Sequence, residues 1–367
     1  SKFNTKEYQQ HLVFLSSVTV RHQKDFNAHR LLRAIDLNTL LSKLPKTQQA
    51  DKAHRMYAQK EVEEHFRDYP FILENTHQLI EGCRVDFEFG KGLNQNLKVY
   101  TQSQQEDEAL LRKLCDERLE KRYPHPSAYV HQRLAKELDA IIRLGFVSYF
   151  LINLYIVEYA RTKDYPFIGR GSGANSIVAY ILGITNVDPI ELDLYFERFI
   201  NENRSSPPDF DIDFSTWDRE DVTAYIFAEF GKNNQVALLG SYVTFKQSGA
   251  VRELGKVFGL PKTEIDKLSS GKFKASELDA ISQLILKYAA YFHKKPNYLS
   301  IHAGGILISD KPIHYFSATH LPPKNFPTVQ FDMHVAEDVG LCKFDILGQR
   351  GLGKIKDAVS IIKQNQP

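Results

Sequence analysis

Cysteine is scarce and scattered. Cys83, Cys115 and Cys342 are the only three, an odd number at wide spacing. That argues against a disulfide framework or a zinc site and fits a reducing compartment. Net charge is nearly absent as well: 47 basic against 45 acidic side chains give +2, too little to assign a nucleic-acid partner from charge alone. No apolar run approaches the roughly 20 residues that a membrane helix needs. The amino terminus lacks the apolar core of a signal peptide, so a cytoplasmic protein with no membrane partner is expected. Internal repeats and low-complexity tracts are missing too. Six histidines fall in the first 100 residues (His11, His22, His29, His54, His65, His77), but no two stand at H-x-H or H-x₃-H spacing. They read as scattered surface or core residues rather than metal ligands. What is left is a 367-residue chain with 25% charged side chains, an ordinary composition with enough length for a large core and two or more domains.

The chain is organised around Pro207-Pro208-Asp209-Phe210-Asp211-Ile212-Asp213-Phe214. Read as a strand, it places Asp209, Asp211 and Asp213 on one face and Phe210, Ile212 and Phe214 on the other. Aspartate is disfavoured in strands, and three on one face repel each other. A divalent cation would offset that repulsion, and carboxylate oxygens suit Mg²⁺ or Mn²⁺. An acidic turn or helix N-terminus is the alternative; the interleaved aromatics favour a buried strand. A second stretch, Lys343-Phe344-Asp345-Ile346-Leu347-Gly348, has the same parity. If it pairs beside the first, Asp345 becomes a third carboxylate of the site, and Lys343 stands one pleat away as a cation suited to phosphate.

Other signals fall in order along the chain. Gln10 to Val20 reads as a strand, Asn27 to Leu44 as a helix, and Met56 to Gly82 as one or two helices broken near Tyr69-Pro70. Residues 86–104 read as a connector. Helical patterns follow over Gln105–Lys121, Ala128–Leu144 (Gly145 as C-cap) and Tyr149–Tyr159, the last apolar nearly all round and so a core helix. Gly169-Arg170-Gly171-Ser172-Gly173 then runs into the helical pattern Ser176 to Leu182. A Gly-rich turn opening a helix can cradle a phosphate with its N–H groups, with Arg170 and Ser172 as side-chain donors. It fits neither a P-loop nor a dinucleotide fingerprint, and alone it is equally a plain turn. Glu191 to Ile200 reads as a short helix carrying Arg198, a phosphate contact or a surface cation. Asp218 to Phe230 is helical and Gln235 to Leu239 a short strand. The lysine-rich span Thr244 to His293 is all-helical, either a nucleic-acid backbone contact or a solvated face. Ser300 to Ser309 returns to strand, with His302-Ala303-Gly304-Gly305 marking a bulge or a close backbone approach. Thr328 to Phe331 is a short strand, and Leu352 to Ile362 a final helix soon after Asp345, as in a fragment of a longer protein.

Together these stretches resemble the alpha subunit of bacterial DNA polymerase III, the C-family replicative polymerase. The motifs that carry the resemblance are Gly169-Arg170-Gly171-Ser172-Gly173-Ala174, Leu182-Gly183-Ile184-Thr185, Phe196-Glu197-Arg198-Phe199, Pro208-Asp209-Phe210-Asp211-Ile212-Asp213-Phe214, His302-Ala303-Gly304-Gly305 and Lys343-Phe344-Asp345-Ile346-Leu347-Gly348. Their order and rough spacing match over about residues 105 to 367. Asn175-Ser176 and Pro207-Pro208 lean toward the error-prone branch.

The resemblance implies a mixed α+β fold: a polymerase beta-like nucleotidyltransferase palm (101–242 and 300–367) with a helical thumb insertion (243–299). The carboxy-terminal remnant of a PHP domain and a connector would fill 1–100. It implies Asp211, Asp213 and Asp345 as catalytic metal ligands, with Asp209 less expected as a direct one, and two Mg²⁺ ions (Mn²⁺ as a substitute). Arg170, Gly171, Ser172, Arg198 and Lys343 would contact the triphosphate of a dNTP. The reaction would be template-directed, two-metal nucleotidyl transfer onto the 3′-OH of primer-template DNA. In the parent protein a sliding clamp and other replisome or translesion subunits would be partners. Three departures qualify this. Ser16-Ser17-Val18-Thr19 stands where the family often has the metal-ligating Asn-Asp-Val-His, Phe167-Ile168 stands where Gly-Pro is common, and fingers are missing after the palm. The isolated chain is therefore expected to polymerise poorly or not at all. The competing readings are a metal-dependent phosphoesterase or nuclease on the same carboxylates, and a non-catalytic scaffold in a replication or repair complex.

Overall fold

The computed structural model describes residues 8–366 except Lys52, Val85, Phe87, Glu88, Lys91, Gly92 and 201–208. Pro207-Pro208, the start of the acidic stretch, and parts of the 86–104 connector lie outside the described residues. The chain divides into two compact units, Ser1–Asp86 with Val243–Tyr298, and Phe87–Tyr242 with Leu299–Pro367.

The first unit is helical. Gln23–Asp36 ends where Asn38 takes a left-handed φ of 46°. Gln59–His65 and Pro70–Gly82 follow, separated as Tyr69-Pro70 predicts, with Pro70 at the first helical position, where its missing N–H costs nothing. Gln247–Phe258, Lys262–Ser269 and Ala280–Phe292 complete it. Leu31, Ala34, Val251, Leu254, Ile285 and Phe292 share one buried cluster.

The second unit is built on a seven-stranded sheet in the order β1-β2-β7-β4-β3-β6-β5. The strands are β1 Phe167–Arg170, β2 Asp211–Ser215, β3 Val236–Thr244, β4 Pro296–Ile308, β5 Thr319–His320, β6 Thr328–Val329 and β7 Lys343–Gln349. The sheet is mixed. β1 is antiparallel to β2, β2 parallel to β7, and β7 antiparallel to β4. Helices Gln104–Arg122, Ala128–Arg143, Val147–Thr162, Ile177–Leu182 and Asp218–Phe230 bury Phe210, Ile212, Phe214, Phe344 and Ile346 in one large core. Tyr149 and Phe150 of Val147–Thr162 pack on Phe210 with ring centroids 5.6 and 5.2 Å away. The apolar parity of the two acidic strands is thus satisfied against helices, and the acids are left on the opposite face.

Two local expectations fail, and a third changes its bounds. Gln10–Val20 forms a short 3₁₀ turn, Gln9–His11, and then an irregular run with a single bridge, Val20 to Arg55. Among the described residues no neighbouring strand offers it a ladder. Side chains take its backbone groups instead: Phe14 N–H donates to Thr76 Oγ1 (2.8 Å), and Asn75 Nδ2 donates to the Gln9 and Leu12 carbonyls (2.7 and 2.9 Å). Glu191–Ile200 is a series of turns with only Phe196–Arg198 in 3₁₀ form. Asp188 Oδ1 accepts from the Ile190 N–H (2.8 Å) and Asp193 has φ of 49°, so the chain is turned before a helix can propagate. The strand expected at Gln235–Leu239 is present and runs on to Thr244.

Candidate active site

The parallel pairing of β2 with β7 sets Asp211 directly beside Asp345. In a parallel ladder, residues in register project to the same face. Asp209, just before β2, joins them: oxygens of Asp209, Asp211 and Asp345 all lie within 4.8 Å of one another. β1 brings Arg170 opposite Asp211, and β4 brings Gly305 opposite Asp345. Gly305 is required there, because a Cβ would stand 2.9 Å from His302 Nδ1 and 3.0 Å from Leu239 Cβ.

Two cations are threaded through these acids. Arg170 Nη1 donates to Asp211 Oδ2 at 2.7 Å, and its Nε and Nη2 donate to Asp213 Oδ2 and Oδ1 at 2.7 and 3.3 Å. Lys343 Nζ donates to Asp209 Oδ1 at 2.8 Å and also to Asp345 Oδ2. Asp213 is thereby clamped by Arg170, with Gln349 Nε2 3.4 Å from its Oδ2. Four carboxylates against two cations leave the site net negative. Burial pushes the Asp211 carboxyl up to about 6, the Asp209 charge adds to the rise, and Arg170 opposes it. Burial pulls Lys343 down, but its hydrogen bonds to Asp209 and Asp345 outweigh that and hold it raised and protonated. The bond to Asp213 likewise raises Arg170.

One oxygen of this site is left without a partner among the described residues. Asp345 is 7% exposed, and its Oδ1 is buried with no hydrogen bond there. His302 Nδ1 lies 3.7 Å away but cannot serve it, because that nitrogen accepts from the Gly305 and Gly304 N–H groups at 2.8 and 3.3 Å. These bonds place the proton of the neutral ring on Nε2. A buried anionic oxygen without a donor, next to two further carboxylates and a net negative charge, fits a hard divalent cation with oxygen ligands.

The Gly-rich turn lies over this group. Gly171 has φ of 82°, a backbone state L side chains rarely adopt, and a Cβ there would come 3.1 Å from Asp211 Oδ2. A Cβ on Gly173 would stand 2.0 Å from the Phe210 ring. The glycines let the turn close onto the acidic segment. Ser172 Oγ donates to the Asp209 carbonyl at 3.2 Å. The following helix, Ile177–Leu182, already faces an internal carboxyl group: Glu137 Oε2 accepts from Ser176 Oγ at 2.8 Å and from the Val178 N–H at 3.5 Å. Glu137 is itself paired with Arg133, whose Nη2 holds the Asn175 and Leu194 carbonyls. That helix N-terminus is taken, so a phosphate at the turn would meet the turn itself and Arg170. Arg198 is exposed on the Phe196–Arg198 turn and is not part of the ion pairs around the carboxylates among the described residues.

The structure brings the sequence-predicted Asp211, Asp213, Asp345, Arg170, Gly171, Ser172 and Lys343 together, and it adds supports that sequence reasoning overlooked. Tyr149 is the main one. Its hydroxyl accepts the Phe210 N–H at 3.1 Å and donates to the Lys343 carbonyl at 3.5 Å, tying both acidic segments together from behind. A tyrosine hydroxyl at the buried start of a largely apolar helix was the available signal. Thr185 Oγ1 holds the Gly169 carbonyl at 2.8 Å, and Arg133 with Glu137 braces the turn.

Residues 109–348 match the family described as Bacterial DNA polymerase III alpha NTPase domain. The chain belongs to the bacterial DNA polymerase III alpha family. The family match spans every residue of the site described above except Gln349. Curated relatives include a DNA polymerase III subunit alpha of Halalkalibacterium halodurans, 35% identical over 96% of this chain and 33% of that protein. An Error-prone DNA polymerase of Symbiobacterium thermophilum is 32% identical over 96% of the chain and 34% of its own length. The DNA polymerase III subunit alpha of Bacillus subtilis is 31% identical over 94% and 32%. The chain thus spans about a third of the length of these relatives. Among the described residues no single helix is long and apolar enough to cross a membrane.

Proposed function

We propose that this chain carries the catalytic centre of a DNA-directed DNA polymerase that adds dNTP units to the 3′-OH of primer-template DNA. The observation that carries the reading is the register of β2 with β7: Asp211 and Asp345 share one face, with Arg170 and Lys343 threaded between the acids. Hard carboxylates beside two phosphate-suited cations fit transfer of a nucleotidyl group from a triphosphate better than plain hydrolysis. Residues 101–242 and 300–367 act as a palm of the polymerase beta type, 243–299 as a thumb, and 1–100 as the tail of a PHP domain.

Asp211, Asp213 and Asp345 are the metal ligands of this reading, and Asp209 is near enough to join them. Mg²⁺ at these oxygens would supply Lewis-acid activation of the primer hydroxyl and neutralise charge on the triphosphate. Lys343 and Arg170 bind the triphosphate oxygens, Gly171 and Ser172 shape the turn over them, and Arg198 adds a donor. Asp209 and Tyr149 orient Lys343 and the strand lead-in. The sliding clamp and other replisome or translesion subunits contact the longer parent.

The test measures Mn²⁺ binding in the presence of dATP, for wild type and for Asp211→Asn combined with Asp345→Asn, alongside primer extension by the longer parent. Loss of the Mn²⁺ site together with primer extension is expected. Mn²⁺ binding that ignores both substitutions would sink the site, and release of free nucleotides without extension would point to a nuclease.

A further inference from the structure

Both cations of the site are engaged with its own acids. Lys343 Nζ bridges Asp209 and Asp345, two of the three acids whose oxygens gather within 4.8 Å. Arg170 bridges Asp211, the third of them, and Asp213. The side chains best suited to a triphosphate are therefore bound to the oxygens best suited to a divalent cation. Both demands cannot be met at once. A dication about 2.1 Å from these oxygens would stand against the ammonium and guanidinium, and like charges that close repel strongly in a half-buried site.

We propose that Lys343 and Arg170 are built-in counter-ions that close the carboxylate site until a divalent cation enters, and that entry releases both side chains to the triphosphate of the incoming nucleotide. This rests on the nucleotidyl-transfer reading above. Three observations favour a replaceable lock over permanent neutralisation. The lock is incomplete, because Asp345 Oδ1 remains without a partner while Oδ2 takes Lys343. The lock is reversible in geometry: Lys343 is two residues from Asp345 on the same strand face, so its ammonium stays in the site when it lets go. Arg170 is 44% exposed, so a ligand arriving from solvent can meet its guanidinium without any rearrangement of the core. Metal and triphosphate affinities must then reinforce each other, since whatever displaces the cations from the acids favours the state the triphosphate binds.

The experiment is lysine labelling of the whole chain with acetic anhydride, read by mass spectrometry, in EDTA, in Mg²⁺, and in Mg²⁺ with dATP. Lys343 labelling should rise several-fold with Mg²⁺ alone and fall again with dATP, while the other lysines hold steady. In parallel, Lys343→Met should bind Mn²⁺ without nucleotide about tenfold tighter than wild type, within the usual range of coupling, and Lys343→Arg should stay near wild type. Mg²⁺ that leaves Lys343 protected, or a Lys343→Met chain that binds Mn²⁺ no tighter, overturns the lock while leaving the metal site standing. If Asp345→Asn binds Mn²⁺ as wild type does, the metal site itself is wrong and the lock falls with it.

Discussion

On one face of β2 and β7, Phe210, Ile212, Phe214, Phe344 and Ile346 are at most 1% exposed and meet apolar and aromatic neighbours. On the other face the same two strands carry Asp211, Asp213, Lys343 and Asp345, with one carboxylate oxygen unpaired and one acid pushed up to about 6. The backbone is common to both, so the difference lies in the side chains. The helix-covered face gains stability from every atom it buries. The acidic face is held in place by the first and costs it something, because it gathers like charges and leaves a buried oxygen without a donor among the described residues. Substitutions on the two faces should therefore move stability and activity in different directions.

The largest effect is expected on the acidic face. Asp345→Asn in the longer parent should lower primer extension by about 10²–10³-fold, the scale on which losing one electrostatic group at a reacting centre is felt. Thermal unfolding of the metal-free chain should barely change. A variant that keeps its activity would erase the functional half of the contrast. The helix-covered face should answer oppositely. Phe344→Ala removes a fully buried ring against Tyr149, at a cost of about 3–5 kcal/mol in urea unfolding. A loss below about 1 kcal/mol would mean that this face does not carry the sheet.

Much of this contrast was legible beforehand, because strand parity has a period of two and both stretches kept it without a break. Register was legible only as a condition: nothing in Asp211 or Asp345 alone says that they pair. The Gly-rich turn was visible, but its reason was not. Gly171 and Gly173 are needed because the turn closes onto Asp211 and Phe210, contacts distant in sequence. The helix behind the turn misled for a similar reason, since its N-terminus is filled by Glu137 from another helix. Gln10–Val20 shows the limit of local pattern: strand-forming residues make no strand where no neighbour offers a ladder.

Tyr149 joins the two faces and offers a finer test. Its ring packs with Phe210 and Phe344, while its hydroxyl holds the Phe210 N–H and the Lys343 carbonyl. Tyr149→Phe keeps the ring and leaves a buried N–H unpaired, a cost of about 2 kcal/mol. Mn²⁺ affinity should fall along with stability, because Asp209 and Lys343 lose their shared anchor. Stability lost with Mn²⁺ affinity intact would show that the two faces are not coupled through this hydroxyl.

The smallest expected effect has the opposite sign. The Asp211 carboxyl is raised from 3.8 to about 6 in the folded chain, with burial as the main cause. Between those values the folded state holds a proton that the unfolded state has released, so stability falls as pH rises through that window and is level above it. Asp211→Asn removes this penalty and leaves Arg170 paired with Asp213. In EDTA the variant should therefore be more stable than wild type by about 1 kcal/mol at pH 8, less than the full shift implies because water reaches the side chain. The two unfolding curves should converge below about pH 3, where Asp211 is neutral in both states. Adding Mn²⁺ at pH 8 should reverse the order, since only wild type gains a ligand. A variant less stable than wild type at pH 8 in EDTA would mean that the Arg170 pair outweighs burial and repulsion, and that the acidic face supports the fold as the aromatic one does.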